Sequence, residues 1–318
     1  SLGYARPGRG FDAETLKAIG EWKKAHPDQT FYAWLGVPWN AESADLKPLY
    51  DAVAAADGMI AWESYGFSRD CEGELNSRYL SRASGFAKLG GGNLNLSSQG
   101  IMTYNVDGNT MRDANGSAIT LFKASAGTSH SGRFTNNTIG AAATLNSGSA
   151  SGNGIYVSAG GTGTISATIS NNVIHQIAGN GHIYADNTGG SYTANFTIEG
   201  NTLDTPGAGW FTGIAVTNGS PTSTDTVNVC AKIGGATAAQ RNILNFPGNP
   251  NPGVIVGASG AAAGHAFNLP GYAGGANLTN VQNFIQGNNT GTFTTQAYTD
   301  TPVTASAFTG TGSTCPTP

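Results

Sequence analysis

Charged residues are scarce in this chain of 318 residues. Asp, Glu, Lys and Arg make up only 11% of it, and the formal net charge is -4. Proteins that bind nucleic acid through its phosphates present a strongly basic surface, which this composition does not provide. No apolar run reaches the roughly 18 residues that a membrane-spanning helix requires. We therefore expect neither a nucleic-acid partner nor a membrane span.

Cysteine is also rare, and three residues are too few for a dense disulfide framework. We predict a single disulfide between Cys230 and Cys315, which would hold down a tail rich in Thr and Gly, and we expect Cys71 to remain unpaired. No cysteine or histidine cluster has the tight spacing of a metal site, so neither a metal nor a cofactor is expected.

The charges that do occur are concentrated in one part of the chain. Residues 1–88 contain 10 of the 15 Lys and Arg and 12 of the 19 Asp and Glu. This shift in composition predicts a domain boundary near residue 88, with an α/β region before it and a second domain over residues 89–318.

The first region alternates helix and strand signals. Asp12 begins a predicted helix that ends near Ala25, a second helix is predicted over residues 45–56, and apolar runs at 31–37 and 58–67 predict strands. This order resembles part of a glycoside-hydrolase-like (β/α) barrel. The resemblance implies a catalytic role for Glu63, which lies at the end of a predicted strand. The alternative is that Glu63 is a solvated or ion-paired residue without a catalytic role. A whole barrel needs about 250 residues. The region is therefore either a compact cap or a barrel segment.

The second region contains a repeated phrase. ATISNNVI at residues 167–174 returns as FTIEGNTL at residues 196–203. The asparagine common to all copies occurs at Asn109, Asn137, Asn172, Asn201 and Asn242. Repeats of roughly 20 to 50 residues are typical of stacked architectures. We predict that these asparagines form an internal ladder, their amides bonding backbone groups of neighbouring repeats; ordinary surface turns are the alternative.

Apolar residues within each repeat alternate with polar ones. The alternating pairs are Ile119/Leu121, Ile155/Val157, Ile183/Ala185 and Ile214/Val216. Such a period of two indicates strands buried on one face. The sequence therefore predicts a mainly β fold, a parallel β-helix of about five to six coils. A capping helix is predicted after Asn277, followed by the tail.

The second region resembles the right-handed parallel β-helix repeat proteins that bacteria export. The segments that carry the resemblance are NNTI, NNVI and GNTL, the strand GNGIYV, VCAKIGG at Val229 and LPGY at Leu269. The resemblance covers about residues 85–318. It implies a right-handed solenoid that is secreted or displayed on the cell surface. Because the sequence starts at Ser1 with neither an initiator Met nor a signal peptide, we expect a processed form or part of a larger polypeptide. Because this fold hosts lyases, hydrolases, binding modules and adhesins, the resemblance leaves the activity open.

One group of side chains suggests a binding site. Tyr156 and Tyr184 occupy equivalent positions in successive repeats, and His182 and Asp186 flank Tyr184. Two stacked rings with polar neighbours favour a platform for a sugar ring, with Asp186 and His182 supplying hydrogen bonds. The alternative is an ordinary outer strand, in which tyrosine is frequent because of its β propensity.

Candidates for catalysis are fewer. His175 and Asp204 each follow the repeated asparagine by three residues in consecutive repeats, so we expect them to lie about 4.8 Å apart. Asp107 and Glu199 share a column three repeats apart, or about 14 Å, which exceeds the roughly 5–9.5 Å of a glycosidase carboxylate pair. Glu63, His175 and Asp204 are thus the catalytic candidates.

The sequence favours a non-catalytic module that binds a polysaccharide or cell-surface glycan, or mediates surface attachment. An enzyme acting on a polymeric carbohydrate, either a polysaccharide lyase or a glycoside hydrolase, is the alternative. A passive segment of a larger surface protein is the third hypothesis. Retention by a polysaccharide without released products would separate the first from the other two.

Overall fold

The computed structural model describes residues 2–5, 13–27, 32–36, 58–62, 94–98, 100–123, 126–219, 226–260, 266–300 and 303–318. In the N-terminal part, β1 (Leu2–Ala5), β2 (Tyr32–Gly36) and β3 (Gly58–Trp62) form a parallel sheet, and α1 spans Ala13–Ala25. The first predicted helix and both predicted strands are confirmed. Glu63, Cys71 and the second predicted helix lie outside the described residues.

Short parallel strands make up most of the described chain. In chain order they are β4 (Leu94–Ser98), β5 (Met102–Asp107), β6 (Thr110–Met111), β7 (Ile119–Lys123), β8 (Thr128–Thr135), β9 (Thr138–Ile139), β10 (Ile155–Ala159), β11 (Thr162–Ser170), β12 (Val173–His175), β13 (Gly181–Asn187), β14 (Ser191–Glu199), β15 (Thr202–Asp204), β16 (Thr212–Asn218), β17 (Asn228–Ile233), β18 (Ile243–Asn245), β19 (Val254–Ala258), β20 (Ala266–Asn268), β21 (Thr290–Thr292), β22 (Thr295–Thr299) and β23 (Phe308–Thr309). Helix α2 (Leu278–Gly287) lies between β20 and β21, and a 3-10 turn spans Ala305–Ala307.

These strands form three parallel sheets. Sheet I has the order β4-β7-β10-β13-β16-β19-β22, sheet II β5-β8-β11-β14-β17-β20-β23, and sheet III β6-β9-β12-β15-β18-β21. The fold is therefore mainly β, as the alternating pattern predicts. Each strand pairs with its counterpart from the previous and the next repeat, and two sheets have seven strands. The third sheet has six strands.

Apolar columns form the core between the sheets. In sheet I, Ile119, Ile155, Ile183, Ile214 and Val254 lie in register on successive strands, and all five are fully buried. Since neighbouring strands are about 4.8 Å apart, each side chain packs directly against the next. The apolar pairs predicted to face inward are confirmed.

The repeated asparagines form the predicted ladder. Asn172 Nδ2 donates to Asn201 Oδ1 at 3.0 Å and to the Phe134 carbonyl at 2.9 Å, while Asn172 Oδ1 accepts from Asn137 Nδ2 at 2.9 Å. The linked pairs are 109–137, 137–172, 172–201, 201–242 and 242–289. The ladder is thus confirmed, and it continues to Asn289, which follows α2.

The residue before the asparagine explains the NN and GN dipeptides. Gly108, Asn136, Asn171 and Gly200 precede ladder asparagines, and all have a positive φ between 55° and 69°. Glycine and asparagine adopt this left-handed conformation more easily than other residues. The turn therefore selects these two residue types, and it aims the following asparagine into the interior.

The C-terminal part closes over the last strands. Asn277 caps α2 by accepting a hydrogen bond from the Asn280 amide at 3.2 Å, and Val281 and Ile285 of this helix are fully buried. A disulfide joins Cys230 and Cys315, the two cysteines paired in the sequence analysis. The predicted helix after Asn277 is confirmed. Within the described residues, no helix has both the length and the apolar composition needed to cross a bilayer.

Candidate functional site

The outward side of sheet I presents two columns of side chains, which we call the aromatic face. The first column is Asn95, Thr120, Tyr156, Tyr184, Ala215, Ile255 and Gln296. The second column is Ser97, Phe122, Ser158, Asp186, Thr217, Gly257 and Tyr298. Strand pairing in register produces both columns, since every second residue of each strand points outward.

One ring contact and two hydrogen bonds organise the centre of the aromatic face. Tyr156 and Tyr184 lie side by side, with ring centroids 5.9 Å apart and an edge-on angle of 67°. The Tyr156 hydroxyl donates to Asp186 Oδ2 at 3.1 Å, and the Thr217 hydroxyl makes a longer contact of 3.5 Å with Asp186 Oδ1. A carboxylate has about four lone-pair positions, so Asp186 retains acceptors for a further hydroxyl group.

Tyr298 extends the aromatic face at its C-terminal end. A Cβ atom placed on Gly257 would lie 2.2 Å from Tyr298 Cζ, so the ring occupies the space above this glycine. At the other end Phe122 is 40% exposed. Neither ring was assigned from the sequence. The pattern predicted the inward pair Ile119/Leu121 of β7 but not the role of Phe122, and β22 lacks the repeated phrase. Their only sequence signal is the alternation within each short strand.

The tyrosine hydroxyls of the aromatic face are held in their protonated form. Burial is the largest cause that raises the pKa of Tyr156, Tyr184 and Tyr298, and the negative charge of Asp186 raises each pKa further. All three hydroxyls therefore remain hydrogen-bond donors at neutral and mildly alkaline pH.

His182 does not belong to this surface, which corrects its placement by the sequence analysis. Its ring is fully buried, 5.2 Å from the ring of Phe246 and covered by Trp210. Trp210 Nε1 donates to His182 Nδ1 at 2.8 Å, and His182 Nε2 donates to the Asp204 carbonyl at 3.0 Å. Aromatic residues from later repeats cover this outward position, so His182 is a structural hydrogen-bonding residue.

Because Nδ1 accepts and Nε2 donates, His182 has to be neutral. Burial lowers its pKa to about 4, although the Asp204 carbonyl favours the charged form. The histidine thus links the loop that contains Trp210 to the end of β15, where Asp204 lies.

His175 and Asp204 are brought together on sheet III. They are partners in the register of β12 and β15, and His175 Nδ1 contacts Asp204 Oδ1. Thr205 donates to the same oxygen at 2.8 Å from a backbone with φ of 41°, an uncommon value for a β-branched residue. Asp204 also borders a groove of about 410 Å³, whose wall includes Pro206 and Phe246.

The outward face of sheet II is polar. Register places Thr135 and Ser170 between Asp107 and Glu199, so the two carboxylates are three strands apart. Glu199 is instead paired with Lys232 at 2.8 Å. This face therefore lacks the close carboxylate pair of a glycosidase among the residues described. Nor do the described residues contain a group of three His, Cys, Asp or Glu side chains suited to a metal ion.

Comparison of the chain with protein-family models, with curated proteins and with solved structures gave no match. The geometry of the sites is consequently the basis for the functional argument.

Proposed function

We propose that residues 94–318 form a right-handed parallel β-helix whose aromatic face binds carbohydrate, in a protein that is secreted or displayed on a bacterial surface. The architecture is supported by strands that follow one another through sheets I, II and III and pair only with equivalent strands. The asparagine ladder links six successive turns through five equivalent hydrogen bonds.

The observation that carries the binding function is the pair of partly exposed tyrosines beside Asp186. Aromatic rings stack on the apolar faces of sugars, while a carboxylate accepts hydrogen bonds from their hydroxyls. Tyr156 is already held by Asp186, at 3.1 Å, so little conformational entropy is lost when a ligand binds.

Two features support location outside the cytoplasm. The disulfide between Cys230 and Cys315 is typical of oxidising compartments. Charged residues are only 11% of the chain, and the outward positions of sheet II are mainly Thr, Ser and Asn. Attachment to a cell-surface glycan and binding of a free polysaccharide use the same chemistry.

Native affinity electrophoresis against soluble plant and bacterial polysaccharides tests this function, with released sugars measured in the same mixtures. We expect retardation by at least one polysaccharide, no released products, and loss of retardation in Tyr156→Ala and Tyr184→Ala. Phe211→Ala removes an exposed ring outside the aromatic face and serves as the matched control. Unchanged retardation in both tyrosine variants, with melting temperatures near that of the parent protein, would reject the site.

The second candidate function is a polysaccharide lyase or glycoside hydrolase, favoured by the contact between His175 and Asp204 beside the groove. Asp204 orients the imidazole through Nδ1, which is the arrangement of a general base. This function predicts released or unsaturated sugars that disappear in His175→Ala. Glu63 remains a catalytic candidate from the barrel resemblance alone, and Glu63→Gln tests it in the same assay.

A further inference from the structure

The aromatic rings of sheet I are arranged along the direction in which the strands stack. Phe122, Tyr156 and Tyr184 lie on three consecutive strands, β7, β10 and β13. Tyr298 lies on β22, three strands beyond β13. Adjacent strands are about 4.8 Å apart, and the ring of Tyr298 lies over Gly257 of β19, so the row of rings extends over five strands, or roughly 19 Å.

Between Tyr184 and Tyr298 the outward positions of sheet I are covered. They are Ala215, Thr217, Ile255 and Gly257, all of which are buried, and the ring of Tyr298 lies over Gly257. This ring does not project away from the sheet. A linear ligand would therefore pass from the paired tyrosines onto the ring of Tyr298, which covers Gly257.

The charge of the aromatic face restricts the kind of ligand. Asp186 is the only charged residue in its two columns, and neither column contains Lys or Arg. Asp300 adds a second negative charge near Tyr298, where it helps to raise the pKa of that tyrosine. An acidic sugar would bring its carboxylate towards two acids without a cation to pair with it, whereas a neutral sugar offers hydroxyls to Asp186.

We infer that the aromatic face binds an internal stretch of about five sugars of an unbranched, neutral polysaccharide, laid across the strands in the stacking direction. A pyranose ring is about as long as one strand spacing, so successive sugars meet successive strands. This inference rests on the proposed carbohydrate-binding function and adds the length, direction and charge of the ligand.

Isothermal titration calorimetry of the whole chain tests the inference with gluco-, manno- and xylo-oligosaccharides of one to six units. Oligogalacturonides of the same lengths provide the acidic comparison. For a neutral series that binds, we expect affinity to rise at least tenfold from two to five units and then to level off. Phe122→Ala and Tyr298→Ala should each weaken binding of the six-unit ligand about threefold or more, and by a larger factor than binding of the two-unit ligand.

A gain-of-binding variant tests the charge argument separately. Asp186→Asn should raise the affinity for oligogalacturonides relative to neutral ligands of equal length, because it removes a like charge. Phe211→Ala should change neither the rise of affinity with ligand length nor the affinity for acidic ligands relative to neutral ones. An affinity independent of length, or acidic ligands that bind the parent protein as tightly as neutral ones, would overturn the inference while leaving carbohydrate binding intact. Absence of binding by every oligosaccharide and polysaccharide would overturn the proposed function as well.

Discussion

The Tyr156 hydroxyl on β10 donates a hydrogen bond to Asp186 Oδ2 on the neighbouring strand β13, at 3.1 Å. The Tyr156 ring lies at an angle of 67° to that of Tyr184, and the contact places a carboxylate beside the two partly exposed rings. The aromatic face is therefore organised before any ligand is present.

Removing only the hydroxyl of Tyr156 separates the role of its ring from that of its hydrogen bond. Tyr156→Phe should weaken polysaccharide binding about threefold, because the ring stays but Asp186 loses the partner that holds it. Tyr156→Ala removes the stacking surface too and should weaken binding tenfold or more. Affinity electrophoresis measures both; equal losses in the two variants would contradict a role for the ring.

Adding one methyl group at Gly257 should displace Tyr298. Its φ is not in the left-handed region, so Gly257→Ala introduces no backbone strain, but the new Cβ would lie 2.2 Å from Tyr298 Cζ. The far end of a flexible side chain moves easily, and we expect a change in stability of less than about 1 kcal/mol. Binding of long oligosaccharides should fall as in Tyr298→Ala.

The comparison of these two variants is the check on that prediction. If Gly257→Ala binds the six-unit ligand like the parent protein while Tyr298→Ala does not, the position of the ring over Gly257 is unimportant. Melting curves recorded alongside calorimetry show whether either variant is misfolded.

Stability should fall in mild acid because of buried histidines. Burial lowers the pKa of His182 to about 4, and also that of His130, where nearby Lys123 contributes. An unfolded histidine titrates near 6.5, so between these values the unfolded chain binds more protons than the folded one. The free energy of unfolding should therefore decrease as the pH falls from about 6.5 to 4, by on the order of 3 kcal/mol for each buried histidine.

Urea unfolding at pH 7.5 and pH 4.5 measures this difference. His182→Gln keeps a donor for the Asp204 carbonyl and cannot be protonated, so the pH-dependent loss should shrink by about half, leaving the part due to His130. The same loss in variant and parent would show that His182 is not the titrating group.

The asparagine ladder should be costly to interrupt. Asn172→Ala deletes the donors to Phe134 O and Asn201 Oδ1 and leaves those buried acceptors less satisfied. Each buried polar group without a partner costs about 1–3 kcal/mol, so we expect a loss of about 3 kcal/mol in the free energy of unfolding. Asn95→Ala, at an exposed position of β4, is the control and should cost less than about 0.5 kcal/mol.

The strands, the ladder and the capping helix were predictable because each has a local cause. Alternation with a period of two determines which side of a strand is buried, as at Ile155 and Val157. Positive φ before the first four ladder residues selects Gly or Asn, and this preference is visible as the repeated dipeptide. An asparagine followed by an apolar period of three to four predicted α2 from Asn277 onwards.

The exposure of outward residues depended on tertiary structure. His182 and Tyr184 both point outward from β13, but Trp210 and Phe246 cover only the histidine. Tyr298 joins the aromatic face from more than 100 positions downstream because parallel pairing brings β22 into register with β19. The sequence by itself determined which residues alternate and turn, since these are properties of neighbouring residues. Only the packing of distant repeats decided which outward side chains are covered and which rings form one surface.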